Sequence, residues 1–260
     1  MPFVTYKNRG ETPLFALQRM KAKDKSLQSQ TISYAGRLDP LAEGLLLVLV
    51  GEENQNRRHY EKFEKTYEFD VLLGIQTDSY DMLGIPQRNM HIIPEDFQDK
   101  IFSYAKAHVG QYLQEYPPYS SKPVQGKPLY YWARNNKLQE ISIPSKEIAI
   151  ASFTVQQFSS LPVQELTHIV QHAIESVTGD FRQSEIREAW VDYFRDPHLE
   201  SFSLITCEIM FTMLPMLPRR LPFWVARQPD RWRQTQEAYC RRVLPGRFLN
   251  PCWQWLLGFL

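Results

Sequence analysis

Residues 34–53, YAGRLDPLAEGLLLVLVGEE, place one carboxylate, that of Asp39, a few positions before a continuous apolar run. The run from Leu45 to Val50 has the length of a β-strand and ends at Gly51, which predicts a strand buried on both faces and central in a sheet. A turn that leads into such a strand holds its side chains in fixed positions. Asp39 is therefore a candidate functional residue, although an aspartate before a proline is usually only a turn residue.

The apolar pattern elsewhere predicts both helices and strands. Strands that are not consecutive, with helices between them, favour an α+β fold with a mixed sheet. Helices are predicted over residues 13–28, 94–110, 129–134 and 183–194, and further strands over residues 66–74, 146–160, 167–177 and 201–209.

The composition is that of an ordinary globular protein, with 43% hydrophobic and 23% charged residues. No stretch approaches the roughly 20 apolar residues that span a bilayer, and the N-terminus has no secretory signal pattern, so we expect no membrane association. The three cysteines form no C-x-x-C pair, which fits a reducing cytoplasm. His168 and His172 lie four residues apart without a third ligand, so no metal site is predicted.

Three further blocks accompany the Asp39 motif in the order and spacing of a known family. Residues 36–53 resemble the aspartate motif of pseudouridine synthases, which convert uridine in RNA to its carbon-linked isomer. Residues 65–84, KTYEFDVLLGIQTDSYDMLG, look like the stretch that follows this motif in tRNA pseudouridine-55 synthases of the TruB type. Residues 6–14, YKNRGETPL, and residues 116–134, YPPYSSKPVQGKPLYYWAR, are similar to two other blocks of that family. The resemblance extends from residue 7 to about residue 209.

The resemblance implies a pseudouridine synthase fold, an α+β domain with a mixed, largely antiparallel sheet, flanking helices and a central RNA-binding cleft. It implies isomerisation of uridine to pseudouridine at position 55, in the T-loop of tRNA, without a cofactor or metal. Asp39 would be the catalytic carboxylate, acting as a nucleophile or as a base, and Tyr67 would stack on the target base. Six other residues match substrate-side positions: Tyr34, where the family usually has histidine, Arg37, Lys65, Tyr119, Lys122 and Lys127.

The C-terminal part departs from the family pattern. In the family, a strand like that over residues 201–209 runs into a G-T-Y-x-R motif, whose arginine pairs with the catalytic aspartate. The sequence after Met210 contains no such motif, and it holds eight arginines, no lysine and two acidic residues. We hypothesise that the reading frame shifts near residues 209–211; the alternative is a divergent basic extension that contacts RNA. Arg182 is then a candidate partner for the Asp39 carboxylate.

These observations predict a catalytic domain over residues 1–210 and a basic tail, rich in arginine and tryptophan, over residues 211–260, with no appended RNA-binding domain. We expect a cytoplasmic monomer whose partner is tRNA. Two alternatives stay open: a pseudouridine synthase that acts on another RNA, and a catalytically inactive protein that binds tRNA without modifying it.

Overall fold

The computed structural model describes residues 2–87 and 95–212 of the chain. The strands in these ranges are β1 (Phe3–Lys7), β2 (Ile32–Ala35), β3 (Gly44–Val50), β4 (Lys65–Leu72), β5 (Gln76–Thr77), β6 (Pro86–Gln87), β7 (Gly110–Glu115), β8 (Pro123–Val124), β9 (Lys127–Pro128), β10 (Ser145–Pro162) and β11 (Ser201–Phe211). The helices are α1 (Pro13–Lys23), α2 (Arg57–Tyr60), α3 (Phe97–Ala107), α4 (Leu129–Arg134), α5 (Val163–Ser176) and α6 (Gln183–Tyr193).

The apolar run that follows Asp39 forms β3, the middle strand of a three-stranded antiparallel sheet in the order β1-β3-β2. Leu46, Val48 and Leu49 are buried, whereas Leu45 at the start of the strand is exposed. The predicted central strand is therefore confirmed, and it fixes the end of the loop that carries Asp39.

A second, four-stranded sheet has the order β4-β11-β10-β7. Every strand pairing found among the described residues of both sheets is antiparallel, so the predicted α+β fold with a largely antiparallel sheet is confirmed. Strands β10 and β11 pair from Ile150 opposite Phe211 to Pro162 opposite Ser201. The chain between them forms α5, a turn over residues 177–182, and α6; we call this unit the helical hairpin.

Side chains on the two faces of the four-stranded sheet enter two separate cores, because successive strand residues point in opposite directions. Phe69 and Val71 pack with α3 on one face. On the other face, Leu72 and Leu204 pack with the helical hairpin, whose Trp190 is buried. The helical hairpin is therefore part of the protein core and not an excursion into solvent.

The prediction of a strand over residues 167–177 was wrong, since these residues belong to helix α5 and the position that follows it. The β-branched residues Thr167, Ile169 and Val170 favoured a strand by local propensity. The buried residues Leu166, Val170, Ala173 and Ile174 follow the helical spacing of i, i+4, i+7 and i+8, so packing of the apolar face decided the structure.

Helix α6 and strands β4, β10 and β11 confirm the corresponding predictions within a few residues. Within the ranges that the structure covers, no helix has the length and apolar character needed to cross a membrane.

Candidate active site

Asp39 lies on the loop that joins β2 to β3, which we call the Asp39 loop (residues 36–43). The backbone carbonyl of Asp39 accepts a hydrogen bond from the Ala42 amide at 2.9 Å, which makes residues 39–42 a turn. Across residues 2–87 and 95–212, no hydrogen bond or ion pair engages the Asp39 carboxylate, and the residue is exposed. The carboxylate is therefore available to a substrate.

Opposing effects act on the pKa of Asp39, and their net result is a raised value. Crowding by the surrounding protein raises this pKa, and the positive charges of Lys7 and Arg37 lower it. Both cations favour the ionised form, which a nucleophile or a base requires.

Lys7, the last residue of β1, lies beneath the Asp39 loop and is fully buried. Its Nζ donates hydrogen bonds to the backbone carbonyls of Pro40, at 3.1 Å, and Ala42. Burial lowers the pKa of Lys7 to about 8, whereas nearby carboxylates, including that of Asp39, raise it. Lys7 therefore both holds the turn that follows Asp39 and places a positive charge near its carboxylate.

Gly10 connects the Asp39 loop to the helical hairpin. Its amide donates to the Pro40 carbonyl at 2.9 Å, and its own carbonyl accepts from the Thr178 amide at 3.3 Å. Gly10 has a φ of 82°, and a Cβ at this position would lie 2.7 Å from the carbonyl carbon of Ser176. Only glycine fits here, so the N-terminal block is a junction between the two units.

Arg37 links the Asp39 loop to residues 116–134, which we call the 116–134 segment. The guanidinium of Arg37 donates a hydrogen bond to Ser121 Oγ. Lys122 Nζ lies 5.3 Å from the Tyr116 ring centroid in the same segment. Cations and aromatic rings side by side are suited to phosphates and unstacked bases of RNA.

Lys127 lies on the hairpin formed by β8 and β9. Its Nζ donates to the Tyr131 hydroxyl at 2.8 Å and lies 3.9 Å from the centre of that ring. The hairpin turns at Gln125 and Gly126, which both have positive φ, and this geometry matches the twist of a tight β-hairpin. Lys122 and Lys127 are exposed, so both cations are accessible.

Lys65 and Tyr67 lie near the start of β4 and point to the same side of the strand. The Lys65 stem passes beside the Asp39 loop, because a Cβ on Gly36 would lie 3.3 Å from Lys65 Cε. Tyr67 packs edge-to-face on Phe211, with 5.8 Å between ring centroids. Lys65 therefore lies beside the Asp39 loop, whereas Tyr67 packs against the core that β4 forms with α3.

Tyr34 precedes the Asp39 loop at the end of β2, opposite Val48 of β3. The Arg57 guanidinium carbon lies 5.5 Å from the centre of its ring. The position therefore holds an aromatic ring with a neighbouring cation, close in sequence to Asp39.

Asp78 joins three parts of the structure. It lies on the turn between β5 and β6, and its Oδ1 accepts from the Ile85 amide at 2.8 Å. Its Oδ2 accepts from the Tyr119 hydroxyl at 2.7 Å and from Arg182 Nη2 at 3.0 Å. Burial and the bond to Asp78 raise the pKa of Tyr119 to about 12. In place of the predicted pair with Asp39, Arg182 thus binds Asp78.

Asp81 lies on the same turn and, with Leu41 of the Asp39 loop, lines a small and largely apolar cavity of about 50 Å³. Its Oδ1 accepts from Ser79 Oγ at 2.6 Å and from the Leu83 amide at 3.0 Å. Burial raises the pKa of Asp81 to about 7; the charge of Asp39 adds to the rise, and the bond from Ser79 opposes it. Asp81 therefore lies at a cavity that the Asp39 loop also lines.

Contacts therefore connect Arg37, Tyr119, Arg182 and Lys65 to the surroundings of the Asp39 loop. Sequence reasoning gave no role to Lys7, Asp78 or Asp81. Each of the three lies within a block that resembles the family, and membership of these blocks was the available signal.

Two predictions remain outside what the structure tests. The frame-shift hypothesis and the basic tail concern residues that, from 213 onward, lie outside the described ranges. In the part of the chain that is described, no group of three or more His, Cys, Asp or Glu side chains is arranged to hold a metal ion.

Comparison with known proteins agrees with the arrangement of these blocks. Residues 24–183 match the model of the N-terminal domain of the TruB family pseudouridylate synthases. A tRNA pseudouridine synthase B of Thermotoga maritima is 31% identical over 149 residues, which cover 56% of this chain and 45% of the relative. The protein of the same name from Aquifex aeolicus is 29% identical over 161 residues, covering 60% and 51%.

The match to a relative from Xanthomonas campestris pv. campestris, also a tRNA pseudouridine synthase B, is longer but weaker, with 26% identity over 196 residues, 72% of this chain and 63% of the relative. The chain spans about half the length of the first two of these curated relatives. Because the family model covers more than half of the chain, the chain belongs to the TruB family of pseudouridylate synthases.

Proposed function

We propose that this protein isomerises uridine to pseudouridine in tRNA, with Asp39 as the catalytic carboxylate. The observation that carries the proposal is the Asp39 carboxylate itself. It is exposed and unbonded among the described residues, while Lys7 holds the backbone of its turn. A carboxylate held in place without a structural partner is suited to reaction with a substrate.

The chemistry matches what these side chains supply. The reaction breaks the bond between uracil N1 and the ribose C1′ and forms a bond from C5 to the same carbon. The C5 hydrogen leaves as a proton and N1 gains one, so no second substrate is consumed. A carboxylate can attack the sugar or remove a sugar proton, and both roles require the ionised form. Lys7 and Arg37 favour that form.

The substrate would be bound around the Asp39 loop. We assign phosphate contacts to Arg37, Lys65, Lys122 and Lys127, and base stacking to Tyr67. Tyr34 and Tyr119 would line the path of the RNA. The relatives' names support tRNA as the substrate, and position 55 in the T-loop is the specific uridine that we propose.

We further propose that residues 1–210 form the catalytic domain and that residues 211–260 form a separate basic tail. The continuous chain of contacts from Lys7 to Arg182 supports the first assignment. The change in composition after Met210 supports the second.

Release of the C5 hydrogen tests the proposal directly. The purified full chain is incubated with a tRNA transcript labelled at uracil C5, beside the Asp39→Asn variant and beside a labelled ribosomal RNA fragment. We expect release from tRNA by the unaltered protein and none by the variant. Release from ribosomal RNA alone would assign another substrate, and tight tRNA binding without any release would show an inactive RNA-binding protein.

A further inference from the structure

Arg182 occupies an unusual position at the turn of the helical hairpin. It immediately precedes α6 and has a φ of 61°, a left-handed conformation that few residues other than glycine adopt. Such a conformation persists only where the surrounding structure holds it. The side chain is 16% exposed and points into the protein, so its contacts can stabilise the left-handed backbone conformation.

Arg182 forms a compact cluster with two residues from distant parts of the chain. Its Nη2 bonds Asp78 Oδ2 at 3.0 Å, and its guanidinium carbon lies 4.7 Å from the centre of the Tyr119 ring. The Tyr119 hydroxyl donates to the same Asp78 oxygen at 2.7 Å. Glu185, at 4.0 Å from Arg182 Nη1, is a weaker and more exposed partner. The guanidinium thus fixes both the carboxylate and the face of the aromatic ring.

Tyr119 transmits this cluster to the Asp39 loop. It lies two residues before Ser121, which accepts the hydrogen bond from Arg37. The backbone around these residues is folded on itself, with the Leu129 amide bonded to the Lys122 carbonyl at 2.9 Å. Movement of Tyr119 would therefore move the 116–134 segment relative to the catalytic aspartate.

We propose that Arg182 is a positioning residue for RNA binding, which acts through Asp78 and Tyr119 to hold the 116–134 segment beside the Asp39 loop. The inference rests on the proposed function, because it assigns this segment to RNA. Arg182 does not serve as a phosphate ligand itself, since its side chain is mostly buried and engaged by Asp78.

The helical hairpin has other anchors, so loss of the guanidinium need not unfold it. Trp190 Nε1 donates to the carbonyls of Met82 and Gly84, at 3.2 and 3.0 Å. Ile174 and Ile186 are buried in the apolar core of the hairpin. A substitution at Arg182 therefore removes the guanidinium from the cluster while these contacts keep the helices in place.

The test compares Arg182→Gln and Arg182→Lys with Arg187→Gln, a matched control on the exposed side of α6. Hydrogen exchange of peptides from the 116–134 segment is measured first, in the absence of RNA. The dissociation constant for tRNA and the separate kcat and KM of label release follow.

We expect Arg182→Gln to speed exchange in the 116–134 segment and to raise the dissociation constant and KM about tenfold. The kcat should change by less than about threefold, since the reacting carboxylate is untouched. The effects of Arg182→Lys should lie between those of Arg182→Gln and the values of the unaltered protein. Lysine keeps a positive charge beside Asp78 but cannot stack on the Tyr119 ring as a planar guanidinium does. Arg187→Gln should match the unaltered protein.

Unchanged exchange in Arg182→Gln would overturn the inference, as would a fall in kcat with KM unaltered. Exchange needs no RNA and no activity, so it separates this inference from the proposed function. If the unaltered protein neither binds nor modifies tRNA, the proposed function fails and the RNA-binding part of the inference fails with it. Faster exchange in Arg182→Gln would then still establish the hold on the segment.

Discussion

Asp39 and Asp78 lie at similar places in the fold, but the hydrogen bonding of their carboxylates is opposite. Each lies on a short turn between antiparallel strands. The Asp78 carboxylate accepts three hydrogen bonds, from the Ile85 amide, Tyr119 and Arg182. The Asp39 carboxylate accepts none within the described ranges, although two cations influence its charge. Asp78 therefore connects parts of the structure, whereas the Asp39 carboxylate is left accessible.

The largest expected effect comes from Asp39→Asn. Hydrogen release from labelled tRNA should fall at least about a thousandfold, because the amide is neither a nucleophile nor a base. The free energy of unfolding in urea should change by less than about 0.5 kcal/mol, because no described group bonds the carboxylate. Asp99→Asn, an exposed change on α3, is the matched control. If Asp39→Asn kept more than about a tenth of the activity, the reactive carboxylate would be that of another residue.

Asp78→Asn should show the reverse profile. One amide oxygen cannot replace a carboxylate that serves the Ile85 amide, Tyr119 and Arg182 together, so the free energy of unfolding should fall by roughly 1–3 kcal/mol. Urea denaturation measures this loss, and tRNA titration should show weaker binding by the same variant. If Asp78→Asn proved as stable as the unaltered protein, the division between the two aspartates would be wrong.

Asp81→Asn should leave hydrogen release least affected, and the size of its effect on stability should depend on pH. The folded protein keeps a proton on Asp81 up to about pH 7, whereas the unfolded chain loses it near the ordinary value of 3.8. The stability that this proton gives the folded state is fully present below pH 3.8 and is lost as the pH rises through about 7. Asparagine keeps the acceptor for Ser79 and Leu83 without a charge, so its advantage should grow from pH 5 to pH 8, to roughly 1–3 kcal/mol.

Urea denaturation of both proteins across this range tests the sign. A stability difference that stays constant with pH would show that Asp81 titrates alike in the folded and unfolded states. Loss of stability in the variant at high pH would show that the carboxylate has an additional favourable partner.

Much of the fold was predictable because the strands near Asp39 carry strong patterns. The apolar run from Leu45 to Val50 and the alternation through Tyr67, Phe69 and Val71 predict which side chains are buried. Burial of apolar side chains is also what stabilises the folded chain. Helix α5 was missed because its β-branched residues favour a strand locally. Leu166, Val170 and Ala173 form the apolar face of a helix, and this face is buried only when the sheet packs against it.

The site was predictable only in part. The role proposed for Asp39 rests on its residue type and its surroundings in sequence, whereas the partners of Lys7 and Arg182 cannot be read from the sequence. Lys7 bonds carbonyl oxygens, which every residue possesses, and no sequence pattern marks which carbonyls are used. Arg182 meets Asp78 across about a hundred residues of chain, so their contact depends on the tertiary fold.

The position of β11 has a consequence for how the protein is made. This strand lies between β4 and β10, and both are synthesised before it. While the ribosome completes the helical hairpin, β4 and β10 each present an unpaired edge, and such edges readily pair with other chains. Lys65 and its strand partner Phe211 are far apart in sequence, which also makes the pairing of β4 with β11 slow. Until residue 211 has left the ribosome, these two edges therefore remain open to pairing with other chains.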